Sequence, residues 1–173
     1  MSIRVIKRVV DQAFDLGTES IILYGYGEPL LHPDILEIIR YIGKRGLYLS
    51  VVTNGSVFKV ISKLLKFPRD FKISFLVNLC AANEQSARLV HGISQPGFFS
   101  LLTDALTRLN QRYPVGLKYI VYRSNVDDMV DFVKLANKMG IKRVGFKLPA
   151  YCALYKKINL FIPQEKILFN NLK

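Results

Sequence analysis

The chain has 173 residues, half of them apolar, and carries 25 Lys and Arg against 13 Asp and Glu for a net charge of +12. That length and apolar share suffice for one substantial core, while no apolar run approaches the roughly 20 residues that a membrane-spanning helix needs. The two cysteines, Cys80 and Cys152, are too few and too far apart for a disulfide framework or a zinc-knuckle spacing, and the N-terminus is amphipathic rather than signal-like, so a cytoplasmic chain with no membrane partner is expected.

In chain order, Ser2 to Leu16 reads as a helix with Ile6, Val9, Val10, Ala13 and Leu16 on one side, ended by Gly17. Ser20-Ile21-Ile22-Leu23 has strand character and runs into Tyr24-Gly25-Tyr26-Gly27-Glu28-Pro29-Leu30-Leu31, where the glycines let the backbone approach a ligand or take positive φ. His32 is the expected cap of the next helix, with Pro33 in its first position. Leu47 to Thr53 is a second strand ending in Thr53-Asn54-Gly55, after which Ser56 caps a helix that Pro68 stops. Phe71 to Leu79 is a third strand, followed by a looser stretch from Cys80 to Gly97 and a helix with Phe98, Leu102, Ala105, Leu106 and Leu109 on one face. Gly116 to Tyr122 is a fourth strand. Asn125 then caps a helix with Val130, Val133, Ala136 and Met139 inward, and Arg143 to Leu148 is a fifth strand.

This alternation predicts an α/β fold with parallel strands and outer helices, the strands being continuous apolar runs as burial on both faces requires. A helix ahead of the first strand suggests that an earlier strand is missing. The edge so exposed is expected to show apolar surface and to dimerise, aggregate or take up a complementary N-terminal segment. Residues 1–149 form the expected domain, and 150–173 a tail with a short closing helix from about Pro163.

Ligands of parallel β/α folds lie at the carboxyl ends of the strands. Those ends carry Gly25, Tyr26, Gly27, Glu28 and Pro29, then Thr53 and Asn54, then Asn78, Asn125 and Lys147, a set suited to a polar small molecule through backbone groups, amides and a cation, with no nucleophile, acid/base pair or metal-ligand set. Each has a plainer alternative: Glu28 as a solvated loop acid, Thr53-Asn54-Gly55 as a turn, Asn78 bonding neighbouring backbone, Asn125 and Ser56 as helix caps, Lys147 in solvent. The cations lie mostly on polar helix faces, as at Lys7, Arg40, Lys59, Lys63 and Lys134, with no recognition motif beside them, so nucleic acid is a disfavoured partner.

Tyr26-Gly27-Glu28-Pro29 resembles the G-G-E-P motif of radical SAM (S-adenosylmethionine) enzymes, and Leu30-Leu31-His32-Pro33-Asp34 continues the likeness. Thr53-Asn54-Gly55 matches the family's T-N-G turn. Val77 to Gly92 is similar to its V-S-x-D segment and trailing helix, and Val115 to Pro149 extends the match. The resemblance implies a partial (β/α)6 TIM-like barrel of five parallel strands without the first family strand, binding S-adenosylmethionine. In the family, a [4Fe-4S] cluster passes an electron to the cofactor's sulfonium, and the 5′-deoxyadenosyl radical so formed abstracts hydrogen from a substrate. By that resemblance the backbone around Tyr26, Gly27 and Glu28 holds the methionine amino group with Thr53 and Asn78 nearby, Asn125 touches the cofactor, and Lys147 is placed by position alone.

Three departures from the family pattern shape the functional expectation. The cluster-binding C-x-x-x-C-x-x-C loop, which would precede Ser2, is not in the sequence. Tyr26 occupies the first glycine of the motif, and Asn78 and Cys80 stand where the family often has Ser and Asp. The expectation is therefore a fragment of a radical SAM enzyme with an unknown substrate, inactive by itself. The alternatives are a non-catalytic module that binds a small molecule or partner, and a basic polyanion or RNA binder.

Overall fold

The structure, a computed structural model, describes residues 1–148, so the expected tail and its closing helix lie outside the described residues. Five parallel strands form one sheet in sequence order: β1 (Ser20–Leu23), β2 (Tyr48–Thr53), β3 (Ile73–Asn78), β4 (Val115–Ile120) and β5 (Arg143–Lys147). Helix α1 (Ile3–Asp15) precedes β1, α2 (Ile35–Lys44) joins β1 to β2, and α3 (Phe58–Leu64) joins β2 to β3. Helices α4 (Glu84–His91) and α5 (Phe98–Asn110) lie between β3 and β4, and α6 (Met129–Lys138) lies between β4 and β5. Because every strand lies beside its sequence neighbours, the sheet winds in one direction, as in the wall of a β/α barrel rather than a doubly wound sheet.

Local sequence explains the elements that carry the core. Ile35, Ile38, Ile39 and Ile42 recur at helical spacing on α2 and are all buried, with Glu37 in the first turn and Lys44 in the last, each opposing the helix dipole. On the sheet, parallel pairing puts Leu49 beside Ile73, Val51 beside Phe75, Leu117 beside Val144 and Tyr119 beside Phe146. These side chains face the helices: Tyr119 packs 4.5 Å from the Phe132 ring of α6, and Phe146 is 5.7 Å from Tyr119. The residues between them, Ser50, Val52, Leu76, Asn78, Lys118 and Ile120, belong to the other face and are only half-buried.

Several expectations are corrected. The strands are not buried on both faces: the helix side is closed, while the opposite side stays partly open and carries polar residues. Helix α2 starts at Ile35 with Asp34 as its cap position, and His32 instead accepts the Asp34 amide at Nδ1 (3.1 Å). Ser56 does not cap α3, whose cap position is Val57. The loose stretch after Cys80 contains α4, begun by a reciprocal box between Asn83 and Ser86. Asn125 makes no side-chain cap bond. A short 3-10 turn, Val126–Asp128, precedes α6, so Phe132 and Ala136 point inward while Val130 and Val133 are exposed. On α1 only Val10 is fully buried, and Val9 and Leu16 face out.

At β1 the described residues pair on one side only, with β2, and Ile22 on this strand is 58% exposed. Phe132 is fully buried and contacts both Tyr119 and Phe146, so Phe132→Ala is expected to lower the unfolding free energy by about 3–5 kcal/mol in urea denaturation. A change below about 1 kcal/mol would mean that the α6–sheet contact contributes little.

Candidate functional site

One carboxylate ties the first two strand ends together. Glu28 caps the 3-10 turn Pro29–Leu31, and its Oε1 accepts the Leu30 amide at 3.0 Å. The same oxygen accepts the Thr53 hydroxyl at 2.7 Å, and Oε2 accepts the Asn54 amide, also at 2.7 Å. Thr53 Oγ1 in turn accepts the Gly55 amide at 3.0 Å, and Asn54 Oδ1 accepts the amide and hydroxyl of Ser56. Gly55 has φ +74, and a Cβ there would press on Leu102, Leu106 and Val77 at 3.1–3.2 Å, so the tight turn requires glycine. Glu28 is thus no solvated loop acid but the clasp between the β1–α2 turn and the end of β2.

The clasp leaves the peptide units before it unspent. Among the described residues, the backbone N–H and C=O groups of Gly25, Tyr26 and Gly27 make no hydrogen bond. Neither Gly25 nor Gly27 has positive φ, contrary to one of the two reasons given for glycine there, and a Cβ at either would meet nothing within 4 Å. Gly25, Gly27, Glu28 and Pro29 line a cavity of about 460 Å³ beside Ile22, Tyr24 and His32. The Tyr26 side chain is fully exposed.

Across the clasp, two further cavities of about 220 and 360 Å³ share Asn54, Asn78 and His91 as lining residues. Asn78, at the end of β3, has a buried Oδ1 with no hydrogen-bond partner among the described residues. His91, the last residue of α4, accepts the Cys80 amide at Nε2 (3.2 Å), which places the proton of the neutral ring on Nδ1. Loss of water around its ring pushes the His91 pKa down. Burial pushes the Cys80 thiol up, against smaller opposing effects of the Ile120 amide and the Lys118 charge.

Asn125 is buried and fully committed: Nδ2 donates to the carbonyls of Cys80 (3.0 Å) and Ile120 (3.1 Å), and Oδ1 accepts the Tyr122 amide (2.6 Å). Its side chain therefore fastens the end of β3 to the end of β4 rather than facing a cavity. Lys147 ends β5, exposed, in register with Ile120. The structure thus joins Glu28, Thr53 and Asn54 directly and sets Asn78 beside Asn54, while the Asn125 side chain bonds to Cys80, Ile120 and Tyr122 instead of to that group. Two residues were missed: His91, whose helix was signalled by the Asn83 and Ser86 pair, and Lys118, a lone cation within an apolar run.

A family model described as the Radical SAM superfamily matches residues 1–151. Among curated proteins, the chain is 27% identical over 165 residues to a probable GTP 3',8-cyclase of Pyrococcus horikoshii, covering 92% of this chain and 46% of that protein. It is 29% identical over 140 residues to the PqqA peptide cyclase of a Methylobacterium species, covering 80% of this chain and 36% of that one. The chain therefore spans less than half the length of these relatives. Among solved structures, Streptococcus suis SuiB bound to S-adenosylmethionine superposes with a TM-score of 0.70 at 16% identity over 87% of this chain and 34% of that one, a likeness of fold.

Glu28→Gln turns one acceptor oxygen into a donor facing N–H or O–H groups, so amide exchange at Leu30 and Asn54 is expected to accelerate at least about tenfold while the β3 and β4 amides stay protected. Between the ordinary imidazole pKa of 6.5 and the lowered folded value, the unfolded chain holds a proton that the folded chain does not. Stability from His91 is therefore complete above pH 6.5 and is lost as pH falls through the folded value. Thermal melts are expected to show Tm dropping on acidification more in the parent chain than in His91→Gln. Equal drops would remove His91 from the account.

Proposed function

The chain belongs to the Radical SAM superfamily, and from that premise we propose that it binds S-adenosylmethionine along the rim made by the β1–α2 turn and the ends of β2 and β3. The observation that carries this reading is the set of unspent peptide units at Gly25, Tyr26 and Gly27, held in place by the Glu28 carboxylate. An α-ammonium group presents three N–H donors, and the free carbonyls of this turn are the matching acceptors. Nothing among the described residues requires glycine at 25 or 27, which suits close approach by a ligand. The orphaned Asn78 Oδ1 is an acceptor awaiting a donor, and a ribose hydroxyl supplies one. Tyr26 takes part through its backbone. Thr53 acts by holding Glu28, and Asn125 by keeping the ends of β3 and β4 together.

In this family a [4Fe-4S] cluster supplies the electron that cleaves the cofactor's sulfonium bond. The residues of this chain do not fit such a cluster: it has two cysteines, Cys80 is buried with its thiol pKa raised, and no three His, Cys, Asp or Glu gather to hold a metal among the described residues. The part proposed for its own groups is to bind and orient the cofactor.

Calorimetry with S-adenosylmethionine tests the reading. The parent chain is expected to bind, and Gly27→Val and Asn78→Leu each to weaken binding about tenfold or more with far-ultraviolet dichroism unchanged. Tyr26→Ala is expected to change affinity less than about twofold. No binding by the folded parent chain, or full affinity in both the Gly27 and Asn78 variants, contradicts it.

A further inference from the structure

The strand register places three cations on the open face of the sheet, at successive levels around Asn78. Asn78 pairs with Lys118, and Lys118 with Gly145. One level below, Leu76 pairs with Gly116, and Gly116 with Arg143, while one level above, Ile120 pairs with Lys147. Arg143 lies on the open side over Gly116, since a Cβ built on that glycine would come within 2.5 Å of the guanidinium Nε. A Cβ on Gly145 would meet nothing within 4 Å, which leaves space beside Lys118. The Lys118 charge reaches Cys80, which lines one of the cavities shared by Asn78 and His91.

Among the described residues, no ion pair answers these cations. Every paired position on this face of β2 to β5, from Ser50, Val52 and Ser74 to Gly145, is neutral or basic, and none of the ion pairs among the described residues includes Lys118, Arg143 or Lys147. Lys147 lies four residue steps along β5 from Arg143, about 13 Å at ~3.3 Å per residue. Like charges gathered on a partly screened surface repel one another and draw in a counter-anion. A single carboxylate neutralises one of them, whereas a chain of phosphoryl groups meets all three, with the guanidinium taking two oxygens at once.

We propose that the open face of β3 to β5 is a phosphate-binding surface, with Lys118, Arg143 and Lys147 as its contacts, that takes the di- or triphosphate of a small-molecule substrate. As a claim about a substrate, this rests on the cofactor site proposed above. As a claim about anion binding, it stands apart from that site. A small molecule rather than RNA is favoured because these cations lie on the sheet's inner face, away from the outer helix faces that carry Lys63 and Lys134.

The test is titration of inorganic tripolyphosphate into the full chain at low salt without S-adenosylmethionine, followed by calorimetry. Lys118→Met, Arg143→Met and the double variant are expected to weaken binding about tenfold or more each, and Lys63→Met and Lys134→Met less than about twofold, with helicity unchanged throughout. Equal losses in the inner-face and helix-face variants overturn the proposal, as does no binding by the folded parent. A single-stranded RNA oligonucleotide that binds more tightly than tripolyphosphate and ignores the double variant overturns it as well. S-adenosylmethionine binding is measured on the same samples: cofactor bound without tripolyphosphate overturns this proposal alone, and tripolyphosphate bound without cofactor overturns only the cofactor reading and the substrate role built on it.

Discussion

The Glu28 carboxylate is the constraint on which the site depends. Its two oxygens accept from Leu30, Thr53 and Asn54, three donors from two loops that are far apart in sequence. Charge-assisted bonds of this kind are about twice as strong as neutral ones, and a half-buried carboxylate that lost them would carry a desolvation cost with no return. Because Glu28 fixes the turn from its far end, the peptide units at Gly25, Tyr26 and Gly27 need no internal partner to keep their shape, and they stay available to a ligand.

A division of labour between the two faces of the sheet supports this arrangement. The helix side is dense and apolar, and the Tyr119, Phe132 and Phe146 rings lock β4 and β5 to α6. The Tyr119 hydroxyl donates to the Asn125 carbonyl at 2.7 Å, and burial pushes its phenol pKa well up, so it remains a neutral donor. Asn125 then carries that order to the ends of β3 and β4. With stability supplied on one side, the other side is free to hold Ser50, Asn78, Lys118 and Arg143, residues that add little to a core and suit a polar ligand.

Much of the fold was legible because each strand is a short apolar run closed by a turn signal and followed by a helical pattern. The family likeness at Tyr26-Gly27-Glu28-Pro29 and Thr53-Asn54-Gly55 was legible for a similar reason: the clasp needs the Glu28 carboxylate and the Thr53 hydroxyl, and the turn beside it needs Gly55. The phase of α6 was not, since a 3-10 turn between Asn125 and Met129 advances the chain by about 120° per residue and rotates the helix away from the face that a start at Asn125 implies. Nor was the exposure of Val9 and Leu16, which depends on what stands opposite α1 rather than on its periodicity. The roles of Asn125 and Asn78, one committed and one orphaned, differ only through neighbours distant in the chain. Lys118 and Arg143 became meaningful once the register put them on one face.

The most direct test of the central claim is amide chemical-shift mapping of the full chain during titration with S-adenosylmethionine. The account predicts that the largest shifts fall on Gly25, Gly27, Asn54 and Asn78, with the amides of α5 and α6 unmoved. Shifts confined to other elements, or none in a folded sample saturated with the cofactor, would contradict it.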